Sequence, residues 1–214
     1  MPSDKAVVHV IDDDEAMRES LAFLLNAVGM EVRTYESATA FLAVASKVGA
    51  GCVITDVRMP ELSGVDLLRR LRELKLGIPV IVITGHGDVP LAVEAMKLGA
   101  LDFLEKPFDD ELLLASVRSA LDKLNQDQRR QAERSEIEGR LAALSNRERD
   151  VLEGLVSGQA NKQIAYDLGI SPRTIEIYRA NLMTKMQAAS LSDLVRMALI
   201  AGILGPGSDR PKAS

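Results

Sequence analysis

Residues 7–13 read VVHVIDD, a short apolar run that ends on a pair of aspartates. The first 124 residues contain four more runs of similar length, which read EVRTY at 31–35, CVITD at 52–56, PVIVIT at 79–84 and LDFLE at 101–105. Several of them lack the apolar–polar alternation of a half-exposed strand, as expected for parallel strands that are covered on both faces. The stretches between them have apolar residues at helical spacing. The pattern predicts an α/β domain over residues 1–124, built on a doubly wound, five-stranded parallel sheet.

The last third of the chain has a different character, because no strand pattern occurs there. Apolar spacing predicts four helices, at about 146–156, 161–168, 172–186 and 191–203. Ser145 and Glu148 have the spacing of a capping box, and Ser171 followed by Pro172 is a typical helix start. We therefore predict an all-α domain over residues 143–206.

Residues 125–142 join the two predicted domains, and residues 207–214 follow the second. The only apolar residue between positions 125 and 136 is Ala132, which indicates either a solvated helix or a flexible linker. Helical spacing of apolar residues on both sides favours a helical linker. The tail reads GSDRPKAS and is predicted to be disordered, because it has almost nothing to bury.

Composition and charge argue against several functions. Aromatic residues make up 3% of the chain and tryptophan is absent, which argues against an aromatic platform for single-stranded nucleic acid. A cytoplasmic location is expected, because no signal peptide or long apolar run occurs and Cys52 is the single cysteine. Residues 1–124 carry 13 basic and 20 acidic side chains, whereas residues 143–214 carry 9 and 7. An anionic partner therefore fits the second domain better.

Acidic side chains follow two predicted strands that are neighbours in the expected strand order. Asp12 and Asp13 come after the first strand and Asp56 ends the third, so the carboxylates should converge at one edge of the sheet. Close carboxylates repel each other unless a cation neutralises them, and an oxygen-only donor set suits Mg²⁺. Thr84 ends the fourth strand and Lys106 follows the fifth, so both could face a phosphoryl group held there. The alternative is that these residues are solvated loop residues or helix caps.

Three segments extend this pattern over the whole first domain: IDDDEAMRESLAFLL, VITDVRMPELSGVDLL and VIVITGHGDVPLAVEAMKLGALDFLEKPF. They resemble the receiver domain of bacterial two-component response regulators, which has a flavodoxin-like fold. The resemblance implies that Asp56 is the phosphoacceptor. It also implies that Mg²⁺ binds Asp13, Asp56 and the backbone carbonyl of Arg58, with Asp12 holding the metal through water.

The same resemblance implies phosphoryl contacts and a switch. Thr84 and Lys106 are expected to contact the phosphoryl oxygens, and the Lys106–Pro107 peptide bond is expected to be cis. Phe103 lies at the aromatic switch position of the family, where the ring turns inward when Thr84 moves towards the phosphate. Residues 88–123 include the face that carries dimerisation in the family, although the sequence alone also permits simple core packing.

A helical wheel for residues 172–186 separates an inner face from an outer face. Ile175, Leu182 and Met186 share one side, which predicts that this side faces the core. The opposite side is small and mixed in character, with Arg173, Ile177, Ala180 and Thr184. Such a face suits a DNA major groove, where an isoleucine can contact a thymine methyl and an arginine can meet a phosphate or a guanine. The alternative is an amphipathic helix in a bundle or a dimer contact.

The segment LSNRERDVLEGLVSGQANKQIAYDLGISPRTIEIYRANLMTKM resembles the LuxR/NarL-type helix-turn-helix of bacterial regulators. The resemblance implies that residues 172–186 form the recognition helix. It places Glu176 among the base-facing positions, where many relatives carry Lys; an acid repels phosphates but can accept a hydrogen bond from cytosine. The base-facing positions are Glu176, Ile177 and Ala180, and the expected phosphate contacts are Asn161, Lys162 and Arg179. The full set predicted to contact DNA is Asn161, Lys162, Arg173, Thr174, Glu176, Ile177, Arg179, Ala180 and Thr184.

The two domains together predict a phosphorylation-activated transcription activator of a bacterial two-component system. Asp56 would accept phosphate from a sensor histidine kinase, and the chain would bind promoter DNA as a homodimer and act with RNA polymerase. Its own chemistry would be slow, self-catalysed phosphoryl transfer and hydrolysis, so it is predicted to be a switch and not a metabolic enzyme. Through VPLAVEAMKLGALDFLEKPF and NKQIAYDLGISPRT, the whole chain resembles the rhizobial activators of nitrogen-fixation genes. That resemblance implies a haem-based kinase that senses oxygen.

Two other functions are alternatives at this point. A Mg²⁺-dependent phosphohydrolase of the haloacid dehalogenase type also uses an Asp nucleophile on an open α/β sheet. It needs Asp-x-Asp-x-Thr/Val after its first strand, whereas the frame here reads Asp12, Asp14 and Ala16, and it leaves residues 143–204 unexplained. A structural adaptor whose helical half binds protein would differ from a regulator in lacking salt-sensitive DNA binding.

Overall fold

The computed structural model describes residues 6–85 and 89–203. It divides the chain into two compact units, with the boundary between Asp127 and Gln128. Among the described residues, no helix is both long enough and apolar enough to cross a membrane. The tail predicted over residues 207–214 lies outside the described residues.

The first unit is built on a five-stranded parallel sheet with the strand order β2-β1-β3-β4-β5. The strands are β1 (Val7–Ile11), β2 (Glu31–Tyr35), β3 (Gly51–Asp56), β4 (Val80–Thr84) and β5 (Asp102–Glu105). The helices that follow them are α1 (Glu15–Ala27), α2 (Ala38–Ala45), α3 (Gly64–Glu73), α4 (Val89–Lys97) and α5 (Asp110–Ala142). The predicted doubly wound parallel sheet is confirmed.

A separate apolar cluster covers each face of the sheet, because side chains alternate between the faces along every strand. On one face the strands pack against α1 and α5, in a cluster that includes Val8, Leu21, Leu25, Ile54, Leu113 and Val117. On the other face they pack against α2, α3 and α4, in a cluster that includes Ile11, Phe41, Val53, Leu67, Leu71, Val82 and Ala95. β3 and β4 are therefore buried along their whole length, which explains why their sequences show no polar alternation.

The second unit consists of helices in its described part. They are the end of α5, α6 (Asn146–Val156), α7 (Asn161–Leu168), α8 (Pro172–Met186) and α9 (Leu191–Ile200). The bounds of α6, α7 and α8 are those predicted. The helix predicted over residues 191–203 ends earlier, at Ile200, because Gly202 adopts a left-handed φ of 75° and ends it.

Residues 128–142, which the sequence assigns to a linker, are helical and belong to the second unit. Ile137 is buried within its core. That core also contains Leu144, Val151, Leu152, Ile164, Ile175, Leu182, Met186 and Leu194.

Candidate functional site

Asp12 and Asp56 lie together at one edge of the sheet. β1 and β3 are paired neighbours, so the residue after β1 and the last residue of β3 are close. Both carboxylates are buried, with 2% of Asp12 and 8% of Asp56 exposed. Lys106 Nζ lies between them and donates to Asp56 Oδ1 at 2.7 Å and to Asp12 Oδ2 at 3.1 Å. The structure therefore joins three of the residues predicted for this site.

A backbone amide holds the second oxygen of each carboxylate. Arg58 N donates to Asp56 Oδ2 at 2.7 Å, and Asp14 N donates to Asp12 Oδ1 at 2.9 Å. Burial raises the pKa of Asp56 above its ordinary value, although the hydrogen bond and the charge of Lys106 oppose that shift. Burial by itself would lower the pKa of Lys106, but the hydrogen bond and the charge of Asp56 raise it. The pocket therefore holds a charged ammonium group beside two carboxylates of fixed orientation.

Thr84 lies on β4 and Phe103 on β5, and neither takes part in the hydrogen bonds that Lys106 makes to the two carboxylates. Thr84 is buried at the end of β4, and its Oγ1 donates to the carbonyl oxygen of Gly85 at 3.2 Å. Phe103 lies on β5 with 43% of its surface exposed, so its ring is in contact with solvent. The Lys106–Pro107 peptide bond is cis, as the resemblance implies.

Gly64 has a role at this pocket that the sequence patterns above do not assign. A Cβ added at Gly64 would lie 2.1 Å from the carbonyl oxygen of Asp56, far inside van der Waals contact. Ser63 caps α3 by accepting from Asp66 N at 3.1 Å, and Gly64 N donates to the carbonyl oxygen of Val57 at 3.0 Å. A glycine directly after a capping serine is the signal in the sequence that could have indicated this close approach.

The acidic edge offers oxygen donors for the magnesium ion that the resemblance implies. Two buried carboxylates share one ammonium group, which leaves net negative charge for a cation. Asp13 is exposed on the loop after β1. Within residues 6–85 and 89–203, no three or more acidic, histidine or cysteine side chains are grouped so that they could hold a metal. Mg²⁺ usually takes one or two protein carboxylates and keeps several waters, so the donors present fit it.

α8 shows the two faces that the helical wheel predicts. Ile175, Leu182 and Met186 are buried in the core of the second unit, whereas Ile177 keeps 58% of its surface exposed. Of the other residues predicted to contact DNA, the exposed ones are Lys162, Arg173, Glu176, Ala180 and Thr184, and the half-buried ones are Asn161, Thr174 and Arg179. The phase of the wheel is confirmed, and contact between this face and DNA stays a prediction.

Two threonines of α8 have hydrogen-bond partners within their own segment. Ser171 caps the helix by accepting from Thr174 N at 3.1 Å, and the two hydroxyl groups lie 2.8 Å apart. Thr184 Oγ1 donates to the carbonyl oxygen of Ala180 at 3.0 Å. A hydroxyl that already donates can still accept. We therefore expect Thr184 to accept from a base amino group more readily than to donate to a phosphate.

Glu148 stabilises the start of α6 and ties it to the end of α8. Ser145 and Glu148 form the predicted capping box. Glu148 is buried, and Lys185 Nζ donates to its Oε2 at 2.7 Å. The hydrogen bond from Lys185, helped by those from Ser145, lowers the pKa of Glu148 to about 2. The sequence indicates the capping box but not Lys185, which lies 37 positions further along the chain.

Glu148→Gln is expected to lower the free energy of unfolding of the second unit by about 1–2 kcal/mol, because the amide cannot pair with the Lys185 charge. The contribution of Glu148 is complete above its ordinary pKa of 4.5 and is lost as the pH falls towards 2. The difference between variant and wild type should therefore shrink as the pH falls below about 4. Denaturant titration followed by helical circular dichroism measures it. Glu153→Gln, at an exposed position of α6, is the control, and an equal loss in both variants would contradict the assignment.

Two family models match the chain. The response regulator receiver domain matches residues 8–118, and the luxR family of bacterial regulatory proteins matches residues 142–198. The transcriptional regulatory protein FixJ of Azorhizobium caulinodans is 61% identical over 202 residues, which cover 94% of this chain and 95% of that protein. FixJ of Bradyrhizobium diazoefficiens is 54% identical, over 94% of this chain and 98% of that protein.

Solved structures also match this chain over almost the whole span that these relatives cover. Full-length FixJ from B. japonicum has a TM-score of 0.60 and 54% sequence identity, and the match covers 94% of this chain and 98% of that one. The response regulator StyR has a TM-score of 0.80 and 38% identity, over 91% of this chain and 98% of that one. Both matches extend across both units.

Proposed function

Because the chain belongs to the FixJ-type response regulators, which join a receiver domain to a LuxR-type DNA-binding domain, we propose that a phosphoryl group on Asp56 controls how this transcriptional regulator binds promoter DNA. The proposal is carried by Lys106, whose ammonium group bridges the buried carboxylates of Asp12 and Asp56. The phosphohydrolase alternative is not supported, since the two family matches account for both halves of the chain. The proposed role is that of a switch with slow phosphoryl chemistry of its own, not of a metabolic enzyme.

Asp56 is the proposed nucleophile, because Lys106 and the Arg58 amide fix its carboxylate at the open edge of the sheet. A carboxylate oxygen of Asp56 forms a bond to phosphorus while the bond from phosphorus to the imidazole nitrogen of a kinase phosphohistidine breaks. Lys106 stabilises the charge on the phosphoryl oxygens. When bound by Asp13, Asp56 and the Arg58 carbonyl, and by Asp12 through water, magnesium would supply the remaining neutralisation.

The switch is proposed to act through Thr84 and Phe103. The Thr84 hydroxyl donates to a neutral carbonyl oxygen, that of Gly85, and a charged phosphoryl oxygen on Asp56 is the stronger acceptor. Movement of Thr84 towards the phosphate would open space for the exposed Phe103 ring. Burial of that ring removes apolar surface from water, which favours the inward position.

The partners proposed are a sensor histidine kinase, promoter DNA and RNA polymerase. Relatives named FixJ suggest a FixL-like kinase as the phosphoryl donor; the resemblance implies that it senses oxygen through haem. On the same ground, the proposed targets are genes of nitrogen fixation and microaerobic growth. The exposed face of α8 is the proposed reader of DNA sequence, with Lys162 and Arg179 on phosphates.

Phosphorylation is expected to convert the chain from a monomer to a homodimer through residues 88–123. Val93, Met96 and Leu112 are exposed apolar side chains of this segment, which suits association. A dimer matches paired half-sites, since one helix-turn-helix reads only a short half-site. Sedimentation at tens of micromolar, with and without acetyl phosphate, measures the change, and Asp56→Asn should stay monomeric. A wild-type monomer under both conditions would contradict the prediction.

A footprint of the full chain on promoter fragments tests the proposed function. With Mg²⁺ and acetyl phosphate, protection is expected at a lower protein concentration than without the phosphoryl donor. Asp56→Asn should show the same protection with and without the donor. If a fully labelled chain binds no better than the unlabelled chain, phosphorylation does not control DNA binding. If neither form binds DNA, the adaptor alternative is favoured.

A further inference from the structure

Given the proposed function, on which this inference rests, we infer that Arg18 is a positioning residue for the phosphoryl-transfer site. It fixes the peptide unit between Asp12 and Asp13 and thereby strengthens the binding of Mg²⁺. Arg18 lies in the first turns of α1, a helix that starts at Glu15 directly after the acidic loop. Its side chain is half-buried, and neither the phosphoryl chemistry nor the switch described above uses it.

The contact that supports this role is made to the main chain. Arg18 Nη1 donates to the carbonyl oxygen of Asp12 at 2.7 Å. That carbonyl belongs to the same planar peptide unit as the amide of Asp13, so the two groups turn together. A charged guanidinium forms a shorter and stronger bond to a carbonyl than a neutral donor does. The direction in which the Asp13 side chain leaves the loop is therefore controlled from α1.

Other contacts in the loop hold different atoms. Asp14 N and Lys106 Nζ each take one carboxylate oxygen of Asp12, so they fix its side chain. The Asp14 carboxylate accepts from Ala16 N at 2.9 Å and caps α1. The bond from Asp14 N also restrains the peptide unit between the two aspartates, because that unit lies inside the turn which the bond closes. Arg18 adds a direct hydrogen bond to the carbonyl oxygen of the unit. Without that bond, the carboxylate of Asp12 would keep its contacts, and the peptide unit that leads to Asp13 would be held less tightly.

Arg18 has two opposing effects on Mg²⁺ binding. The larger of them decides whether removal of the guanidinium strengthens or weakens that binding. Its positive charge repels the metal, but solvent weakens such repulsion for a half-buried side chain. Loss of a group that orients a metal ligand typically weakens metal binding about 10–100-fold. Orientation is the larger effect, so removal of the guanidinium is expected to weaken Mg²⁺ binding even though it removes a repulsive charge.

Calorimetric titration of the full chain with MgCl₂, without any phosphoryl donor, tests this role. Arg18→Met has a similar length and no donor, and it is expected to bind Mg²⁺ at least about tenfold more weakly than wild type. Arg18→Lys keeps one charged donor and should recover part of the affinity. Arg72→Met, at an exposed position in the last turn of α3, is the matched control and should bind like wild type.

Labelling by acetyl phosphate and thermal melting in EDTA complete the test. Arg18→Met should label slowly at low Mg²⁺ and reach the wild-type rate at saturating Mg²⁺. A lowered melting temperature in EDTA with an unchanged dissociation constant for Mg²⁺ would mean a purely structural role and overturn the inference. Equal or tighter Mg²⁺ binding by Arg18→Met would also overturn it. If wild type binds no Mg²⁺ and takes no label, the proposed function itself fails and the role of Arg18 falls with it.

Discussion

Asp56→Asn is expected to abolish the acid-labile phosphoryl group that acetyl phosphate and Mg²⁺ add to the wild-type chain. The amide of Asn offers no carboxylate oxygen to attack phosphorus, so the covalent step has no nucleophile and is lost altogether. The substitution also removes the charge that Lys106 Nζ meets at 2.7 Å. Intact-protein mass spectrometry should find one phosphoryl group per wild-type chain and none on the variant.

Loss of labelling has to be separated from loss of the fold. Burial raises the pKa of Asp56, so at neutral pH its ionised form is less favourable in the folded chain than in the unfolded chain. A neutral side chain avoids that cost, and thermal melting should show the variant folded. Asp66→Asn is the control, because Asp66 lies at the start of α3 and its carboxylate bonds to Ser63 instead. Undiminished labelling of Asp56→Asn would place the acceptor elsewhere.

The sheet could be predicted from sequence because its central strands are buried on both faces. β3 and β4 are mostly apolar and show no polar alternation, which is the pattern expected of parallel strands covered on both faces. The order of the strands then places the ends of β1 and β3 side by side, which is why the sequence alone could pair Asp12 with Asp56. The start of α8 could be predicted from a serine cap that is followed by proline.

Contacts between residues far apart in sequence could not be predicted in the same way. Whether Lys106 would meet one aspartate or both depends on the path of the loop after β5, which no periodicity encodes. The pair formed by Lys185 and Glu148 joins the end of one helix to the start of another. Spacing rules describe single elements, and these contacts depend on how elements pack.

Ile177→Ser is expected to reduce discrimination between operator and random DNA by about 1–3 kcal/mol, with little change in affinity for random DNA. Ile177 is exposed on the face of α8 that lies opposite Ile175 and Leu182, so it can reach a base edge. The substitution removes an apolar contact to a thymine methyl and leaves every phosphate contact in place. The affinity of the variant for operator DNA should therefore fall, whereas its affinity for random DNA should not.

Lys162→Ala is expected to show the opposite pattern. Lys162 is exposed at the start of α7, and its proposed contact is a phosphate, which carries no sequence information. Its loss should weaken binding to operator and random DNA alike and reduce the slope of log affinity against log salt by about one. Lys47→Ala, on an exposed residue of the first unit, is the control and should leave the slope unchanged.

A salt titration on both DNAs separates the two variants, because one alters sequence discrimination and the other alters charge. Because Ile177 is exposed, a serine there leaves the core around Leu182 and Met186 intact. The melting temperature of Ile177→Ser should therefore not fall, so a change in DNA binding cannot be attributed to unfolding. If Ile177→Ser instead loses affinity for both DNAs with a smaller salt slope, α8 contacts the backbone and not the bases. If Lys162→Ala changes only the operator, α7 reaches a base edge. Either result would reassign the roles of the two helices, because a phosphate contact carries no sequence information and the loss of an uncharged side chain removes no charge contact.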